Sequence, residues 1–83
     1  MNIYVGNLDF KVDENDLKGI FTPFGTVTEV KIITDKYSGR SKGFAFVTME
    51  DNKEAAHAID ELNGATLENR KLTVNEAKPR KEF

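Results

Sequence analysis

Residues 42–49 read Lys-Gly-Phe-Ala-Phe-Val-Thr-Met. In a β-strand, successive side chains point to opposite faces. One side of this run therefore carries Lys42, Phe44, Phe46 and Thr48, and the other Gly43, Ala45, Val47 and Met49. The second side is wholly apolar, whereas the first holds two large rings between polar ends. Whether those rings face the core or face water decides how the rest of the chain must be built.

The flanking segments supply the partners. Ile3 and Val5 alternate with Asn2, Tyr4 and Gly6 in a first strand, and Asn7-Leu8-Asp9 reads as its exit turn. Phe10 and Val12 follow in a loop and are expected to plug the end of the core. Asp13 is a good N-cap, and Glu14 and Asp16 favour the helix dipole in the first turn. Leu17, Ile20, Phe21 and Phe24 repeat at i, i+3, i+4, i+7, which predicts one buried helix face, ended by Pro23 and Gly25. Residues 27–34 predict a second strand, with Val30 and Ile32 on one face and Lys31 and Ile33 on the other. The polar loop 35–41 is short enough to make this strand and 42–49 an antiparallel hairpin. Asp51 and Glu54 have the spacing of a capping box, and Ala55, Ala56, Ala58, Ile59 and Leu62 line a second helix. Asn63-Gly64 predicts a left-handed helix stop. Leu67 is expected to be buried in the connection. Leu72 and Val74 alternate with Lys71, Thr73 and Asn75 in a fourth strand.

The order is β-α-β-β-α-β, a ferredoxin-like α+β sandwich in which two helices cover one face of a four-stranded antiparallel sheet. Each strand must send its more apolar side to the helices. Strands one, two and four offer Ile3/Val5, Val30/Ile32 and Leu72/Val74. By the same rule Ala45, Val47 and Met49 turn inward, leaving Phe44 and Phe46 on the open face with Tyr4 and Ile33. The alternative is that Phe44 and Phe46 are core, as Phe usually is. The polar neighbours Lys42 and Thr48 and the pattern of the other strands oppose it. Exposed rings beside lysines are costly unless used. They match single-stranded nucleic acid, whose bases stack on aromatic faces and whose phosphates pair with Lys or Arg. A further alternative keeps the rings exposed but has them bind a protein or a second copy of the domain.

Composition bounds these readings. With 83 residues the chain makes one domain, and with 39% hydrophobic and 31% charged residues it reads as an ordinary soluble globular chain. It has no Cys, so disulfides and thiol chemistry are excluded. No apolar run approaches the ~18 residues of a membrane span, and the N-terminus does not read as a secretory signal. A cytoplasmic protein is expected. The net charge of −2 argues mildly against a nucleic-acid partner. Its distribution does not: Lys36, Arg40 and Lys42 lie in residues 35–43 and Lys78, Arg80 and Lys81 near the C-terminus, while Glu50, Asp51, Glu54, Asp60 and Glu61 crowd residues 50–61. The single His57, between Glu54 and Glu61, reads as a solvated helix face and not a metal site. Gly39 to Gly43 lacks Walker spacing, and Ser38 and Ser41 have no base motif nearby. No constellation supports an enzyme or a cofactor.

Residues 42–49 resemble the eight-residue ribonucleoprotein motif of RNA recognition motif domains, with seven of eight positions satisfied. Ile3-Tyr4-Val5-Gly6-Asn7-Leu8 resembles the family's partner motif on the first strand. Leu62-Asn63-Gly64, then Leu67, Arg70, Leu72, Val74 and Ala77, resembles its ending. The resemblance covers about residues 2–78, so the expected domain is 1–78 with a short basic tail at 79–83. It implies that Tyr4 and Phe46 stack on consecutive bases, Phe44 packs between their sugars, Lys42 meets a phosphate, and Asn7 lies near the binding face. Two positions depart from the family's pattern. Met49 stands where Phe or Tyr is usual, and alternation places it in the core. Asn69 stands where Gly often precedes Arg70, and Asn tolerates the left-handed conformation. The short chain also resembles small single-domain RNA-binding proteins of bacteria, including cyanobacteria, and lacks the Gly-rich tail of the plant glycine-rich ones.

The expected function is binding of single-stranded RNA, with single-stranded DNA or a protein as the alternative partner, by a monomer that does not engage a membrane. Lys31, Ile33, Lys71, Thr73 and Asn75 would flank the rings. Arg40 and Lys36 in the hairpin loop, and Lys78 and Arg80 in the tail, would guide the backbone.

Overall fold

The computed structural model describes residues 1–9, 11–34 and 41–77. In chain order the elements are β1 (Asn2–Gly6), α1 (Glu14–Phe21) running into a 3-10 turn (Thr22–Phe24), β2 (Val27–Thr34), β3 (Ser41–Met49), α2 (Asn52–Leu62), β4 (Thr66–Leu67), β5 (Arg70–Lys71) and β6 (Thr73–Glu76). Four strands form one antiparallel sheet in the order β2-β3-β1-β6, and β4 and β5 form a separate two-stranded hairpin.

One side of the sheet is the core. Ile3, Val5, Ala45, Val47, Met49 and Val74 are fully buried, together with Leu17 and Phe21 of α1 and Ala55 and Ala58 of α2. Helix α1 lies against β2 and α2 against β6. Ala55 and Ala58 let α2 approach the sheet closely, whereas Ala56, expected on the same face, is exposed because it lies one position round the helix from Ala55. Val12 plugs the end of this core as its apolarity predicts, and Ile20, Phe24, Val30, Ile32 and Leu67 pack around it half-buried. Phe10 lies outside the described residues. Tyr4, Phe44, Phe46 and Thr48 are half-exposed and Asn2 is exposed, where Ile3, Val5, Ala45, Val47 and Met49 are buried, so the alternation holds at these positions. Among the described residues no helix is long and apolar enough to cross a membrane.

Local signals account for the helix ends. Asp13 Oδ1 accepts from the Asp16 N–H at 2.8 Å and Asp16 Oδ2 from the Asp13 N–H at 3.1 Å, a complete capping box. The box predicted at Asp51 is half made. Asp51 Oδ1 accepts from the Glu54 N–H at 2.9 Å, but the Glu54 side chain lies over Gly25, where any Cβ would collide with it. The first helix end thus needs Gly25 for close packing against the second helix. Gly64, at φ 86°, supplies the left-handed stop after α2, while Asn63 at φ −66° stays on the ordinary side and its Oδ1 accepts from the Val74 N–H at 3.1 Å.

The connection after α2 is itself a small hairpin, and Leu67 in it is half-buried where burial is expected. Leu67 pairs with Arg70 across a two-residue turn in which Glu68 (φ 52°) and Asn69 (φ 65°) are both left-handed, the type I′ geometry that suits strand twist. Lys71 therefore belongs to β5 and not to the fourth strand of the main sheet. Leu72 separates the two, because its N–H donates to Ala65 O and its carbonyl accepts from Gly64 N–H, both at 2.8 Å.

Candidate nucleic-acid interface

The open face of the sheet is a grid set by strand pairing. In the middle row Lys31, Phe46, Tyr4 and Asn75 stand side by side on β2, β3, β1 and β6. A second row holds Phe44, Gly6 and Thr73, and a third Glu29, Thr48 and Asn2. Tyr4, Phe44 and Phe46 form a triangle of rings with centroids 6.0, 6.1 and 6.0 Å apart. Tyr4 and Phe44 are inclined at 29°, whereas Phe46 stands at 63° to Tyr4 and 83° to Phe44. All three rings are half-exposed.

Gly6 makes this triangle possible. A Cβ at Gly6 would stand 2.5 Å from the Tyr4 hydroxyl oxygen and 2.8 Å from its ring carbons. The Tyr4 ring lies along its own strand, over the bare glycine and toward Phe44. Any larger residue at Gly6 would push the ring off that line.

A model of the RNA recognition motif family matches residues 3–73. The chain belongs to the RNA recognition motif family. It is 48% identical over 82 residues to "Putative RNA-binding protein RbpD" of Nostoc sp., covering 99% of this chain and 87% of that one. The crystal structure of RNA Binding Protein PG1 superposes with a TM-score of 0.92 at 51% identity, covering 99% of both chains. The protein of a Sxl-lethal protein/RNA complex superposes with a TM-score of 0.91 at 32% identity, covering 98% of this chain and 48% of that one.

This RNA recognition motif domain gathers most of the residues singled out above. Lys31 is exposed directly across from Phe46, and Ile33 follows two residues along the same strand, half-buried. Asn75 lies across from Tyr4 and Thr73 from Gly6, both exposed. Lys42 occupies β3 two residues before Phe44; its side chain, and Lys36, Arg40, Lys78 and Arg80, lie outside the described residues.

Asn7 has a definite task inside the domain. Its φ is 59°, and its Nδ2 donates to Lys71 O at 2.6 Å while its Oδ1 accepts from Arg70 Nη2 at 3.1 Å. The side-chain amide thus ties the exit of β1 to β5 and holds the exposed Arg70 beside the Phe44 row. Sequence reasoning put Lys71 among the site residues and left Arg70 out. An Asn in a turn signals the left-handed backbone, but nothing local signals a partner 63 residues away.

Among the described residues the one ion pair is His57 Nε2 to Glu61 Oε1 at 3.6 Å, with both side chains exposed, on the helical side of the domain. His57 also meets the Phe24 ring edge-on at 5.3 Å. No three His, Asp or Glu side chains gather around a possible metal position among the described residues. A shallow cleft between α1 and the sheet edge, lined by Glu14, Lys18, Thr28 and Glu29 among others, contains none of the three rings.

Proposed function

We propose that this domain binds single-stranded RNA on its open sheet face and is a binding module, not an enzyme. The observation that carries the reading is the triangle of half-exposed rings on a sheet whose other face packs against the core and the two helices. Bases stack on Tyr4 and Phe46, and Phe44 packs against the sugars between them. Planes inclined at 63° cannot both stack on neighbouring bases of a regular duplex, so the ligand has its bases splayed, as single strands allow. The exposed cations Lys31, Lys71 and Arg70 flank the rings with no carboxylate within ion-pair distance among the described residues. Lys42 meets a phosphate, Lys36, Arg40, Lys78 and Arg80 guide the backbone with few direct phosphate contacts, and Ile33, Thr73 and Asn75 border the stacked bases. The names of RbpD and PG1, and the RNA complex among the solved structures, support the same reading. The cellular task is post-transcriptional regulation or RNA chaperoning by a cytoplasmic monomer.

An NMR titration with a short single-stranded RNA tests the proposal. Shifts concentrated at Tyr4, Phe44 and Phe46 are expected. Their absence at high RNA concentration, or shifts confined to α2, would overturn it in favour of a protein-binding surface. A parallel titration with the DNA of the same sequence measures the preference for RNA.

A further inference from the structure

The row next to Phe46 is entirely polar: Glu29 on β2, Thr48 on β3 and Asn2 on β1. The Thr48 hydroxyl donates to Asn2 Oδ1 at 2.9 Å. That bond fixes the Asn2 amide and leaves its Nδ2 as a donor with no acceptor among the described residues. Glu29 is exposed and no cation pairs with it among the described residues. A free carboxylate on a face that receives a polyanion opposes phosphate binding. Its favourable partner there is a base N–H.

The charges of the face orient the strand. Arg70, held by Asn7, and Lys71 lie beyond the Phe44 row, Lys31 stands in the Phe46 row, and Glu29 lies at the other end. A sugar–phosphate chain drawn toward Arg70 and Lys71, past Phe44, would leave the edge of a base stacked on Phe46 toward the Glu29–Asn2 row. A carboxylate offers two acceptors side by side and no donor. Guanine alone presents two adjacent N–H donors on its pairing edge, N1–H and the N2 amine, with O6 beside them as acceptor. Adenine and cytosine present one amine next to a ring acceptor that repels the second carboxylate oxygen. Uracil presents a single N–H between two carbonyls.

We propose that Glu29, with the Asn2 amide, selects guanine for the position stacked on Phe46, the carboxylate taking N1–H and N2–H and the Asn2 Nδ2–H donating to O6. This rests on the RNA-binding reading above and adds a base preference to it.

The test is fluorescence anisotropy of the full chain with labelled RNA octamers, all uridine except for one central G, A, C or inosine, together with the all-uridine octamer. The G octamer is expected to bind about tenfold more tightly than the A, C and U octamers, the scale of one good bidentate base contact. Inosine, which lacks the N2 amine, is expected in between. Glu29→Gln is expected to bring G down to the level of the others while leaving the all-uridine octamer unchanged or tighter. Equal binding of all octamers by the unaltered protein overturns the inference without any variant. So does a Glu29→Gln variant that shifts every octamer equally, which would make Glu29 only a charge guarding the edge strand. Phe46→Ala separates the two levels. If it leaves all binding intact, the ring-face reading itself fails; if it weakens every octamer and no G preference exists, only the guanine assignment fails.

Discussion

Phe44 and Phe46 differ from Val47 and Met49 in nothing that hydrophobicity alone would detect. Yet Val47 and Met49 are fully buried and the two rings are half-exposed. The opposite sides of one strand should therefore answer substitution in opposite ways. Phe44→Ala and Phe46→Ala are each expected to cost about 1–3 kcal/mol of RNA affinity by anisotropy, with the urea midpoint little changed. Met49→Ala is expected to cost about 2–5 kcal/mol of stability, with RNA affinity retained wherever the variant is folded. Loss of folding in the Phe variants would return the rings to the core. The outward direction was legible because β1, β2 and the fourth strand alternate more cleanly than β3 and leave it one consistent choice. The lie of Tyr4 over Gly6 was not legible, since it depends on a side-chain rotamer and not on a period.

The elements were legible in proportion to their periodicity. Strand β2 spans the predicted residues 27–34, and both helices begin at their predicted caps. The β4–β5 hairpin escaped notice because it has two residues per strand and a Glu68-Asn69 turn, without the Asn-Gly or Asp-Gly pair that usually marks type I′. Both Glu68 and Asn69 hold positive φ in that turn, and Asn69 is the one whose side chain tolerates it well. Asn69→Gly is expected to be neutral or slightly stabilising, and Asn69→Val to cost about 1–2 kcal/mol in thermal or urea unfolding, because a β-branched side chain resists positive φ. If Val is tolerated as well as Gly, the left-handed backbone at Asn69 is not what holds the hairpin. Glu54 shows the opposite lesson. Its spacing from Asp51 read as a capping box, but its side chain lies instead over Gly25, past the end of the first helix.

Among the described residues, cations border the rings although the chain's net charge is negative, with Glu29 the carboxylate one row away. Glu61 and its neighbours on α2 face away from the sheet, while Lys31, Arg70 and Lys71 border the rings. A net charge of −2 is thus compatible with an RNA-binding face. It also limits how much of the affinity can be electrostatic. With three or so phosphates engaged, the slope of log K against log salt concentration is expected near about −2. Anisotropy over a KCl series measures it, and a slope steeper than about −5 would mean that backbone contacts outweigh stacking.

The direction of each side chain in a strand is set by covalent geometry, so the chain carries its apolar and aromatic faces openly as a period of two. The order of elements, the buried face, the inward Met49 and the outward rings all follow from that local rule. Which outward side chains become neighbours is a different matter. Asn2 meets Thr48 across 46 residues and Asn7 meets Arg70 across 63. These pairs exist only once the strands adopt the order β2-β3-β1-β6 in a particular register. Order and register come from packing two helices on one face, a condition on the whole chain at once, and they put the Glu29 carboxylate one row from Phe46.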